Sequence, residues 1–126
     1  MNQSDYKILF ECVKPYLPEQ WNKVAIFYWE VDDVVAFDLY IDLGKGFVMY
    51  KDLGISRKDG IDIFMKFQKI MKANRKNLKE SDLWTAFAMK VDSKGKFTVN
   101  YDYEYAGDDL IKYEDRWVKK HLELYK

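Results

Sequence analysis

Two sets of side chains in this sequence have the types and spacing to do chemistry. In the stretch Asn100-Tyr101-Asp102-Tyr103-Glu104, an amide and two carboxylates recur at every second position, so on a strand they share one face. Asp38, Tyr40 and Asp42 repeat the arrangement earlier in the chain. Asp108 and Asp109 add two more acids just after the first set. Carboxylates grouped on one surface can act as a glycosidase-like acid and base pair or meet a basic protein surface. No environment that would hold one carboxyl protonated is legible around Asp102 or Glu104. This surface is the leading functional candidate, although by charge alone an ordinary solvated strand edge explains it more simply, and a small hydrolase using the last strand is the second alternative.

Other reactive residue types lack the company they need. Cys12 is the single cysteine and has no identifiable neighbour that would lower its pKa, so it is expected to be a small core residue. His121 is the single histidine, with no second His or Cys to complete a zinc site. No Gly-x-Gly-x-x-Gly and no Walker loop occurs, and Gly44-Lys45-Gly46 is a hairpin turn and not a phosphate cradle. Catalytic, cofactor-binding and metal-binding residues are accordingly expected to be none. Lys66, Lys69 and Lys72 on one helix could hold phosphate backbones, which makes a nucleic-acid-binding module the first alternative.

The elements that position these residues follow from periodicity. Ser4 is expected to cap a helix from Asp5 to about Lys14, with Tyr6, Leu9, Phe10 and Val13 on one face before Pro15 and Pro18. Trp21 to Val31 is apolar on both faces and reads as a central strand. Asp32-Asp33 turns into a second strand, where Val35, Phe37, Leu39, Ile41 and Leu43 point one way and Ala36, Asp38, Tyr40 and Asp42 the other. Gly44-Lys45-Gly46 leads to a short strand, Phe47 to Lys51. Ser56 opens the longest helix, to about Leu78, with Ile63, Phe64, Phe67, Ile70, Met71 and Leu78 on its apolar side. A hairpin from Trp84 to Tyr105 turns at Asp92-Ser93-Lys94-Gly95, and its Phe97, Val99, Tyr101, Tyr103 and Tyr105 are expected to face the core. Gly107-Asp108-Asp109 starts a last helix with Leu110, Tyr113, Trp117, His121 and Leu124 along one side. The order α-β-β-β-α-β-β-α implies an α+β fold: one antiparallel sheet of about five strands, with helices on one face.

At 126 residues a single domain spanning 1-126 is expected. Lys and Arg balance Asp and Glu at 21 each, so no global field draws the chain to nucleic acid or to an anionic membrane. One cysteine, no long apolar run and no opening signal peptide fit a cytoplasmic protein.

Two motifs carry a family resemblance. Leu17-Pro18-Glu19-Gln20-Trp21-Asn22-Lys23-Val24 resembles the entry motif of the YezG-like immunity protein family: an aliphatic residue, Pro, two variable positions, Trp, one variable position, Lys-Val. Trp84, Asp92-Ser93-Lys94-Gly95-Lys96-Phe97 and Tyr101-Asp102-Tyr103 resemble its second signature, a Trp opening a strand, an Asp-x-x-Gly turn, and a strand ending in Tyr-Asp-Tyr. The resemblance covers residues 5 to 105, and beyond it a compact Gly107-Asp108-Asp109 replaces the family's longer loop. It implies an antitoxin, not an enzyme, that protects the producing cell by binding the C-terminal domain of a secreted polymorphic toxin, often a nuclease. The partner it implies is that toxin domain, with no cofactor and no catalytic residue. Asp38, Tyr40, Asp42, Asn100, Asp102, Glu104, Asp108 and Asp109 are then the candidate toxin-binding residues.

Overall fold

The computed structural model describes residues 1–104 and 109–126. It has three α-helices and one open five-stranded antiparallel sheet, the expected α+β class. The chain forms two compact units, residues 1–20 with 50–83 and residues 21–49 with 84–126.

The first unit holds two of the helices. α1, Gln3–Glu11, starts two residues earlier than expected because Asn2 is its cap. The Asn2 side chain accepts from the Asp5 N–H at 3.0 Å, and the Asp5 carboxylate accepts from the Asn2 N–H at 2.9 Å. A cap at Ser4 would put Lys7 in the reciprocal position, and a lysine cannot accept that bond. A short 3-10 turn, Lys14–Tyr16, carries Pro15 where its missing N–H costs nothing. α2, Arg57–Arg75, is capped by the Ser56 hydroxyl, as expected. It buries Ile63, Phe67 and Met71, and Gly60 leaves room for the Tyr50 ring, whose edge would lie 2.7 Å from an added Cβ. Leu78 lies past the helix end and is exposed.

The second unit is the sheet with the last helix. Its strands are β1 (Lys23–Val31), β2 (Val34–Asp42), β3 (Phe47–Met49), β4 (Ala86–Asp92) and β5 (Phe97–Asp102), in the order β3-β2-β1-β4-β5. β1 is central and buried on both faces along Val24 to Val31, as its two-sided apolar sequence requires. Asp32 takes positive φ (54°) in the β1–β2 turn, a conformation that aspartate tolerates. At the β4–β5 turn, Gly95 has φ 87°, and the Asp92 carboxylate accepts from the N–H groups of Lys94 and Lys96.

α3, Leu110–Leu124, lies across one face of this sheet. Its Tyr113, Trp117, His121 and Tyr125 recur every four residues and are all buried. They meet a floor made low by Ala25, Ala86 and Ala88, beside Phe27 and Trp29. Leu124, expected on this side, is 65% exposed, and Tyr125 takes the place because it continues the four-residue series. No helix among the described residues is long and apolar enough to cross a membrane.

Candidate functional site: an acidic protein-docking edge

The register places the two acid-bearing rows on the same face of the sheet, the one α3 covers. Asp38 pairs with Phe27, Phe27 with Ala88, and Ala88 with Asn100. Asp102 lies opposite Ala86, which lies opposite Trp29. The rows on β2 and β5 are thus separated by β1 and β4 and do not form one patch.

Most of the expected docking residues are committed to internal bonds. Asp102 is half-buried and accepts a hydrogen bond from the Tyr113 hydroxyl at 2.8 Å, while that hydroxyl also bonds the Thr85 hydroxyl at 2.8 Å. Burial pushes the Tyr113 phenol up, and the Asp102 carboxylate pushes it further, so it stays a donor. The Asn100 side-chain oxygen accepts from the Tyr125 hydroxyl at 3.1 Å. Glu104 pairs with Arg116 at 3.2 Å at a half-exposed site. Asn100 and Asp102 therefore seat the helix and the residue after it, and the expectation that they face outward is corrected, because the helix that follows brings hydroxyl groups to meet them; Glu104 is exposed, as expected. Each carboxylate answers to a different α3 residue, an arrangement suited to docking a helix.

Asp42 is likewise not outward but buried. Burial alone would raise its carboxyl, but the N–H groups of Gly44 (2.6 Å) and Gly46 (3.0 Å) and the Asn22 amide hold it below the usual range. It organises the β2–β3 turn, where Gly44 and Gly46 take positive φ. Asp109 caps α3 through the Lys112 N–H at 3.2 Å and keeps half of its side chain exposed. Asp108 lies outside the described residues, as does Tyr105. Tyr103, expected in the core, is 58% exposed.

Asp38 and Tyr40 remain, and they have company that the sequence did not reveal. Tyr40 packs against the aromatic cluster, its ring 5.9 Å from that of Phe27, and its hydroxyl donates to Asp38 at 3.2 Å. Burial raises the Tyr40 phenol, with Asp38 and more distantly Asp115 adding to the effect. The Glu114 carboxyl is raised by burial and then by the charges of Asp38 and Asp115. So α3 carries Glu114 and Asp115 to the β2 row, where the charges of Asp38 and Asp115 act on the half-buried Glu114 carboxyl beside Tyr40. Among the described residues no group of His, Cys, Asp and Glu has the arrangement to hold a metal ion, this one included. A carboxyl that faces like charges is favoured in its ionised form by a cationic partner.

Comparison with known proteins gives this edge its context. The model of the YezG-like immunity protein family matches residues 3–125. The chain belongs to that family. The match runs through α3, well past the residues that carried the resemblance in the sequence. The chain is 22% identical over 130 residues to immunity protein YezG of Bacillus spizizenii, covering 94% of this chain and 81% of that one. It is 23% identical over 122 residues to immunity protein YezG of Bacillus subtilis strain 168, covering 89% and 77%. An immunity role follows from family membership, and with it a cognate toxin as partner.

Proposed function

We propose that this protein is a cytoplasmic antitoxin that binds the C-terminal domain of a secreted polymorphic toxin and blocks a nuclease cleft. It does so as a protein inhibitor, without turnover, in bacterial competition of the contact-dependent kind. The observation that carries the nuclease assignment is the edge formed by Asp38, Tyr40, Glu114 and Asp115 in a chain of immunity family. A nuclease cleft must be positive to hold phosphate. A carboxyl that already faces like charges, as Glu114 does, gains more from meeting that cleft than an isolated acid would. Tyr40 supplies an amphipathic anchor of the type enriched at interface hot spots. Glu104 and Asp109, half-exposed, stand as rim acids; Asn100, Asp102 and Asp42 act behind the surface, by holding α3 and the β2–β3 turn.

The test is inhibition of the toxin domain encoded beside this gene. The wild-type protein should suppress its nuclease activity at a one-to-one ratio. Asp38→Lys with Asp115→Lys should slow association by about tenfold or more at low ionic strength, since complementary charge acts on the encounter. Because binding a cation lowers the Glu114 carboxyl toward its ordinary value, complex formation near pH 5 should release protons. Wild-type association by the double reversal, with no proton release, would remove the acidic edge from the interface.

A further inference from the structure

A second surface, of opposite sign, lies on α2. The exposed residues Lys58, Ile61, Met65, Lys69, Lys72 and Lys76 follow one another at steps of three or four, so they form a single stripe along the helix. At a rise of about 1.5 Å per residue the stripe is roughly 27 Å long. Its ends are cationic and its middle is apolar: Ile61 is 49% exposed and Met65 58%. Between Arg57 and Lys79 the chain has eight Lys or Arg and two acids, within a sequence of zero net charge. Beside Met65 a shallow depression of about 470 Å³ is lined by Lys66, Gln68, Lys69 and Lys72.

We infer that this stripe is a second docking face for the toxin domain, and that it takes an acidic patch of that domain with one apolar side chain inserted beside Met65. The inference rests on the immunity reading for the identity of the partner only. Charge complementarity selects the acidic patch. The apolar middle selects protein over nucleic acid, because a phosphate backbone laid along the stripe would be desolvated against Ile61 and Met65 at the centre of the contact. A two-fold contact with a second copy would set these lysines against themselves, so the face is not a symmetric dimer interface. Methionine suits the role, since its flexible thioether adapts to an irregular partner surface.

The experiment measures affinity for the catalytically inactive toxin domain by calorimetry, using the full chain. Three proteins are compared: wild type, Met65→Asp, and Lys69→Glu with Lys72→Glu. All substituted positions are exposed, and thermal unfolding confirms that the fold is kept. Met65→Asp should bind about 30-fold more weakly or worse, in the range of an interface hot spot. The lysine reversal should bind about tenfold more weakly, with the deficit shrinking as salt is added. Wild-type binding with both variants unchanged overturns this inference and leaves the immunity reading standing. No binding by wild type overturns both. Wild-type binding to a random-sequence duplex that the lysine reversal abolishes assigns the stripe to nucleic acid, and sedimentation showing wild-type self-association lost in Met65→Asp assigns it to a second copy; either result overturns the inference.

Discussion

His121 offers a direct measurement of how tightly α3 is seated. It is 2% exposed, its ring centroid is 4.1 Å from Trp117 and 5.4 Å from Tyr125, and neither ring nitrogen has a hydrogen-bond partner. Burial, aided by the Lys120 charge and opposed by that of Asp102, lowers its pKa from 6.5 to about 4. The folded form therefore binds a proton less readily than the unfolded chain. Stability contributed in this way is complete above pH 6.5 and is lost as pH falls toward 4. At about 1.4 kcal/mol per pH unit, the interval of about 2.5 units amounts to at most about 3.5 kcal/mol, an upper figure because a helix end can loosen and admit water. His121→Leu removes the titrating group and the two unpartnered nitrogens together. Urea unfolding followed by tryptophan fluorescence should show wild type losing this increment between pH 6.5 and 4 and the variant keeping it. Asp42, with a depressed carboxyl, acts at lower pH, and Glu114, with a raised one, acts with the opposite sign. Because His121 is the only histidine, one imidazole resonance reports its titration without assignment. A titration midpoint of 6 or above, or parallel stability profiles for the two proteins, would show that α3 is not packed as described.

Three further outcomes are expected. Trp84, 4% exposed and 5.7 Å from the Tyr101 ring, should cost about 3–5 kcal/mol on truncation to Ala, whereas the half-buried Trp21 should cost about half that; denaturant titration separates them. Asp102→Lys should destabilise by about 2–4 kcal/mol, because it strips the Tyr113 hydroxyl of its acceptor and puts an unpaired ammonium under α3; a midpoint equal to that of wild type would return Asp102 to the surface. The purified protein should hydrolyse neither nucleic acid, phosphate esters nor glycosides, with or without divalent metal, and turnover that follows the protein through a point mutant would contradict the inhibitor reading.

The elements were readable because each has a local cause. The Asp-x-x-Gly turn, the alternation of β5, the Ser56 cap and the two-sided apolar β1 all act within a few residues of themselves. Orientation was not readable for the same reason. In β2 and β5 the polar row looks like the wet one, since Asp38, Asp42, Asn100 and Asp102 alternate with Val, Phe, Leu and Ile. On β5 that row is covered because Tyr113 and Tyr125 bring hydroxyl groups to Asp102 and Asn100, while on β2 Asp42 is taken inward by its own turn. One local signal did point the other way. Ala86 and Ala88 occupy alternate positions on β4, and two alanines on one strand face make space for a large element laid over them. The partnership of Asp38 with Glu114 and Asp115 joins residues more than seventy positions apart, and it depends on the strand order, which no local pattern fixes.

β3 pairs only with Tyr40, Ile41 and Asp42, so among the described residues no strand pairs with the outer side of β2 from Val34 to Leu39, whose other side is held by β1. Val34 is 52% exposed there. An unpaired strand side of this kind invites sheet-to-sheet growth between copies, and natural proteins guard such rims with charge. Asp32 and Asp33 at the turn and Asp38 along the strand are that guard. Of these guards Asp38 is also one of the acids offered to a basic partner, so a single side chain on the rim both repels a second copy of the strand and can receive a cationic one.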